Sequence, residues 1–220
     1  MSESSAAVLN LWKKNLGRVP DFVWEQTQLE VLILADNALS EISEQIRNLS
    51  SLRTLDLGHN ELKQLPEALG EIAGLSDFLY LHDNRLEALP SSIAHLKKLR
   101  YLNISANSFS ILPVPVCSLA GLIELRAADN QLSTLPDCIA NLSCLRELHL
   151  RNNALTTLPA SIGELAELRH LDLRGNPLTS LPPVIAELPK LEKLDLRWAS
   201  SLESPSWSKE LEARGCAVYR

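Results

Sequence analysis

The chain lacks most of the features that announce a chemical function. Its eight glycines sit mostly in turns or on the backs of repeated segments, so no glycine-rich loop is available to cradle a phosphate. No HExxH, GxSxG or metal-spaced Cys/His set occurs. Basic residues are outnumbered by acidic ones, 21 against 27, and the net charge is −6. That balance argues against a dedicated nucleic-acid binder or a protein that seeks anionic membranes. No apolar run approaches the ~18 residues of a membrane span. The opening "MSESSAAVLN" has neither the basic start nor the apolar stretch of a secretory signal. The four cysteines (Cys117, Cys138, Cys144 and Cys216) form no CxxC pair and read as buried thiols of a reducing compartment. A cytoplasmic protein without cofactor or metal is the expectation.

What the chain does have is internal repetition. Leucines at 99, 122, 145, 168 and 191 recur every 23 residues, and each opens a segment patterned on L-x-x-L-x-L-x-x-N-x-L, with substitutes in some slots. Earlier units start at Leu29 and Leu52, and a degenerate one holds Leu9, Leu11, Leu16, Val19 and Pro20. One unit breaks step: "GLSDFLYLHDN" carries Ser76, Asp77 and Phe78 between two leucines where the others carry two residues. A bulge in the strand or an extra residue in the preceding turn would both absorb it.

The spacing dictates the architecture. The "LxLxxN" core alternates inward and outward as a strand must. Stacked units pair these strands into one parallel sheet, and their apolar slots fill a continuous core. A proline then follows in "LxxLP", stops further pairing and turns the chain to the back. Segments such as "ASIGELAE" predict short helices or 3₁₀ turns on the convex side. The expectation is an α/β fold, a right-handed curved solenoid with its sheet on the concave face. Asn37, Asn60, Asn84, Asn107, Asn130, Asn153 and Asn176 fall where each strand ends. Their amides can pair the backbone groups of neighbouring turns, so we read them as a structural ladder.

The ends are expected to be caps, because Lys14 and Ala199 replace the asparagine there. The reading is a single domain over 1–220: a capping unit at 6–28, repeats over 29–202, and a helix–strand cap at 203–220. In that cap Ser204 is read as N-cap, Pro205 as the first helical residue and Gly215 as terminator, with "CAVY" adding a strand. The chain is expected to be complete at both ends, with no appended domain.

The unit "LTTLPASIGELAELRHLDLRGNPL" resembles the intracellular leucine-rich-repeat class of plant and animal Ras-group scaffolds and of bacterial proteins. The resemblance implies a non-catalytic, monomeric protein-binding scaffold in signalling. The paired-cysteine caps of extracellular relatives are absent. A stand-alone bacterial effector of this type is the alternative.

Function is expected on the outward strand rows. The first half carries Phe78, Tyr80 and Tyr101, and the second Arg126, His149, Arg151, His170, Arg174, Arg197 and Trp198. Tyr, Trp and Arg are enriched at binding hot spots. An unidentified protein partner should present apolar groups to the aromatics and acidic groups to the arginines. Until it arrives, each arginine should pair with a neighbouring carboxylate. An enzyme or metal site is the competing reading, around Asp36, His59, His82 and Asp83, which occupy near-equivalent slots on successive units. Cys138 and Cys144 read as packing residues.

Overall fold

The computed structural model describes residues 7–203 and 205–220. Ten three-residue strands pair in strict chain order into one parallel sheet: β1 (Val8–Asn10), β2 (Val31–Ile33), β3 (Thr54–Asp56), β4 (Phe78–Tyr80), β5 (Tyr101–Asn103), β6 (Glu124–Arg126), β7 (Glu147–His149), β8 (His170–Asp172), β9 (Lys193–Asp195) and β10 (Ala217–Tyr219). The central residue of each repeat strand is a leucine: Leu32, Leu55, Leu79, Leu102, Leu125, Leu148, Leu171 and Leu194 lie in register and are buried. Burying each of these side chains contributes about 1.5–3 kcal/mol. The fold is a leucine-rich-repeat solenoid, with the sheet on its concave face.

Eight five-residue 3₁₀ helices form the back, from Asp21–Glu25 to Pro183–Glu187. Proline precedes seven of them, at Pro20, Pro66, Pro90, Pro113, Pro136, Pro159 and Pro182. Ser43 holds the eighth position, and there its Oγ accepts the N–H of Gln45. A 3₁₀ helix rises ~2.0 Å per residue against ~1.5 Å for an α-helix, so a short unit covers more of the back with it. The backs pack closely. A Cβ added at Gly70 would come within 2.1 Å of the Ser92 backbone, which only glycine allows. None of the helices described is long and apolar enough to cross a membrane.

The extra residue before β4 forms no bulge. Thr54 pairs with Phe78 and Phe78 with Tyr101, without a slip. Elsewhere two successive N–H groups share one carbonyl, as those of Ile123 and Glu124 share Arg100. After the insertion they separate: Arg100 N–H donates to Ser76 and Tyr101 N–H to Asp77. The turn absorbs the residue, and Asp77 gains an ion pair with Arg53 at 3.1 Å.

Three expectations need correction. Cys117 and Cys138 are joined as a disulfide, with Cα atoms 5.6 Å apart, and Cys144 is exposed rather than packed. Stacking places residues 21 apart on neighbouring back turns, which the absence of a CxxC pattern does not reveal. Support for a reducing compartment from four free thiols is thereby removed. The C-terminal helix α1 runs Ser208–Ala213, with Trp207 at its N-cap, so Pro205 stands outside it. Ser204 lies outside the described residues. Gly215 follows the helix with φ +92°, and β10 then pairs with β9. Finally, Asp195, which strand alternation aims outward like Asp172, does not face solvent. It is fully buried, because Tyr219 stands opposite it on β10 and Arg197 closes over it.

Candidate functional site on the concave face

The asparagines that end the strands set the rigidity of this face. Asn107 is representative: its Nδ2 donates to the carbonyls of Leu81, Ile104 and Ser105, and its Oδ1 accepts the N–H of Leu86. Asn37, Asn60, Asn84, Asn130, Asn153 and Asn176 repeat the pattern. Each amide ties its own turn to the preceding unit, which fixes where the outward side chains emerge.

Toward the N-terminal half these side chains are aromatic. Phe78 and Tyr80 stack at 6.0 Å on β4, and Tyr101 of β5 lies 5.5 Å from one and 5.0 Å from the other. Strand alternation puts Phe78 and Tyr80 on one side of the sheet, and the register brings Tyr101 beside them. Phe78 remains 43% exposed, an unusual state for so large an apolar ring. Burial pushes the Tyr101 hydroxyl up to about 12, against an opposing pull from Arg126. The Arg126 guanidinium lies 5.9 Å from the Tyr101 ring.

The C-terminal half is charged but internally matched. Arg151 pairs with Asp129 at 3.0 Å. Arg174 grips Asp172 through two hydrogen bonds of 2.8 and 2.6 Å and also approaches Asp195 at 3.6 Å. Arg197 grips Asp195 in the same way, at 2.9 and 2.8 Å. Burial raises the Asp172 carboxyl, but the hydrogen bonds from Arg174 outweigh it and leave the group below the usual carboxylate range. This stretch therefore offers a partner little unpaired positive charge. Trp198 follows β9 in the left-handed region (φ 65°), is 69% exposed, and its ring lies 5.9 Å from Arg197.

The competing cluster is only partly assembled. His59 Nδ1 lies 2.5 Å from Asp83 Oδ2, and the His59 and His82 rings meet edge-on at 4.8 Å. Asp36 lines the same groove as His59 and Asp83 but pairs with Lys13, at 3.7 Å. Asp36, His59 and Asp83 all hold positive φ, because they occupy the turn position that follows the strand. Glycine at 58 leaves the space that the His82 ring fills. Burial, and next the neighbouring His59, push His82 below the usual imidazole value, against opposing pulls from Asp56 and Asp83.

Sequence reading missed Glu124 and Glu147 as site members. They flank His149, which lies 3.7 and 3.2 Å from them, and His170 is 3.6 Å from Glu147. The constant register between units is the signal that could have found them.

Known proteins share this geometry. Leucine-rich-repeat models match residues 125–178 and 143–199, a two-copy model matches 27–70 and a single-repeat model 98–119. A 95-residue stretch is 36% identical to the human volume-regulated anion channel subunit LRRC8A, covering 42% of this chain and 12% of that protein. The mouse leucine-rich repeat and calponin homology domain-containing protein 1 is 37% identical over 91 residues, covering 41% and 12%. The matched stretch thus spans about an eighth of these relatives. Among solved structures, an LRR protein of Leptospira interrogans aligns with a TM-score of 0.76 at 26% identity, covering 98% of this chain and 66% of that one. The ectodomain of the Arabidopsis thaliana receptor kinase GASSHO1/SCHENGEN3, in complex with CASPARIAN STRIP INTEGRITY FACTOR 2, aligns at 0.80 and 31%, covering 96% and 26%. The repeat domain of the type III effector XCV3220 (XopL) aligns at 0.70 and 32%, covering 84% and 74%. Repeat models over more than half the chain, and a solved repeat domain matched over most of its length, agree with the stacked strands and asparagine ladder: the chain belongs to the leucine-rich-repeat family.

Proposed function

We propose that the chain is a non-catalytic protein-interaction module, a scaffold that binds a protein partner on its concave face. The cluster of Phe78, Tyr80 and Tyr101 carries this reading. Three large rings stand on the outward side of a rigid sheet, where folding alone requires none, and such rings anchor interfaces. The GASSHO1/SCHENGEN3 ectodomain, similar over most of this chain, has a solved complex with a partner. The arginines to the C-terminal side are already matched by Asp129, Asp172 and Asp195, so we assign them register and orientation rather than most of the affinity.

Kinetic comparison of variants, with a partner recovered by cross-linking and mass spectrometry, tests the assignment. Tyr101→Ala should speed dissociation about tenfold or more, since truncating a central aromatic anchor costs above ~1.4 kcal/mol. Arg151→Ala should act mainly on association and its salt dependence. Glu164→Arg, on the exposed back, should change neither rate. Normal binding by the first two variants, with loss in the third, would place the working surface on the convex side.

A further inference from the structure

The stack brings together four side chains that are far apart in sequence. Glu124 stands opposite Glu147, and Glu147 opposite His170, on three successive strands. His149, two residues after Glu147 on β7, points to the same side of the sheet. Its Nε2 lies 3.2 Å from Glu147 Oε2 and 3.7 Å from Glu124 Oε1. One ligand atom from each of Glu124, Glu147 and His149 lies within 4.8 Å of the other two. His170 stands at the edge of the cluster, its Nδ1 3.6 Å from the same Glu147 oxygen.

These separations match a specific ligand. Nitrogen and oxygen donors placed tetrahedrally about zinc, at bonds of ~2.1 Å, are roughly 3.4 Å from one another. The two distances from His149 bracket that value and leave the fourth position to solvent. The imidazole of His149 favours a borderline first-row ion over calcium or magnesium, which prefer oxygen donors throughout. The surroundings supply the outer partners that metal-binding side chains need. Nε2 of His170 lies 3.8 Å from Glu192 Oε2, and Arg169 donates to the other oxygen of Glu192 at 2.5 Å. Arg126 Nε donates to Glu124 Oε1 at 2.5 Å and orients that carboxylate. The side chains of Glu124 and His149 are only 21% and 23% exposed, so water screens the cluster weakly.

We propose that Glu124, Glu147 and His149 form a three-residue zinc site on the concave face, between the aromatic cluster and the paired arginines, with His170 at its edge. The alternative is that protonated imidazoles form ion pairs with the carboxylates and no metal binds. Titration of the chelator-stripped chain with zinc chloride, followed calorimetrically, separates the two. The expected result is one ion per chain, with the visible absorption of tetrahedral cobalt when cobalt(II) replaces zinc. His149→Gln and Glu147→Gln, which nearly keep side-chain volume, should each weaken binding at least tenfold. His59→Ala, in the other histidine cluster, should leave it unchanged. Zinc should also raise the melting temperature of the wild-type chain but not of His149→Gln. Absence of binding at sub-millimolar zinc, equal affinity in the wild type and His149→Gln, or loss confined to His59→Ala would each overturn the site.

Discussion

Single residues in this protein act through backbone they do not belong to. Asn107→Ala strips four partners at once and leaves the Leu86 N–H buried without an acceptor. A stranded buried group costs about 1–3 kcal/mol, and several are stranded here. The expected loss is about 3 kcal/mol, or roughly 10 °C in thermal melting for a domain of this size. Glu164→Arg serves as the control and should shift the curve by a degree or less. His82 gives a second prediction. Its folded pKa lies below the ordinary ~6.5 of an unfolded histidine, so the unfolded chain takes up the proton first. Its contribution to stability is therefore complete above ~6.5 and declines as pH falls from there toward the folded value. Urea midpoints should fall between pH of about 7.5 and 5.5, and His82→Gln should flatten that decline. An unchanged slope in the variant would assign the decline to other groups.

At the scale of elements, the back turns are joined by more than packing. The Cys117–Cys138 bond crosses from the turn Val114–Ser118 to the turn Asp137–Asn141, closing a loop of 21 residues. A loop of that length gives a stabilisation of about 3 kcal/mol. Melting with and without reductant should show that difference, and the double variant Cys117→Ser/Cys138→Ser should melt at the reduced value in both. The elements also show what sequence could reveal. Regular leucine spacing made the strands, the outward rows and the 3₁₀ backs legible, because each follows from alternation and proline placement within one unit. Features that depend on two units were harder to see. The disulfide joins residues 21 apart, and Glu124, Glu147, His149 and His170 meet only through cross-strand register. Burial of Asp195 was hidden for the same reason, since β10 covers it from the far end of the chain. The start of α1 was misplaced because proline favours a first helical turn without requiring one there.

As a whole molecule, the solenoid is held by contacts between neighbours. Stability in such a stack is close to a sum of unit and interface contributions. Removing one complete period, residues 146–168, should leave a folded protein with a β-type circular dichroism spectrum and a lower melting temperature. The deletion joins Leu145 to Arg169 and so restores the pattern, since each is followed or preceded by equivalent positions. Removing only residues 146–156 should abolish cooperative melting, because it brings mismatched positions into the same layer. If the half-unit deletion melts as sharply as the full one, register is not what holds the stack.

The insertion before β4 bears on how such a chain can be edited. A β-sheet has a reading frame of two: one added residue within a strand exchanges every inward side chain for an outward one. Ser76 and Asp77 lie upstream of that frame, and their carbonyls, accepting separately from the N–H groups of Arg100 and Tyr101, restore it before the next strand begins. The turn between the first leucine and its strand thus works as punctuation, where length can change without altering the text that follows. A single residue added at the matching turn of another unit, between Leu122 and Ile123, should therefore preserve the whole concave surface, whereas one added between Leu125 and Arg126 should scramble it.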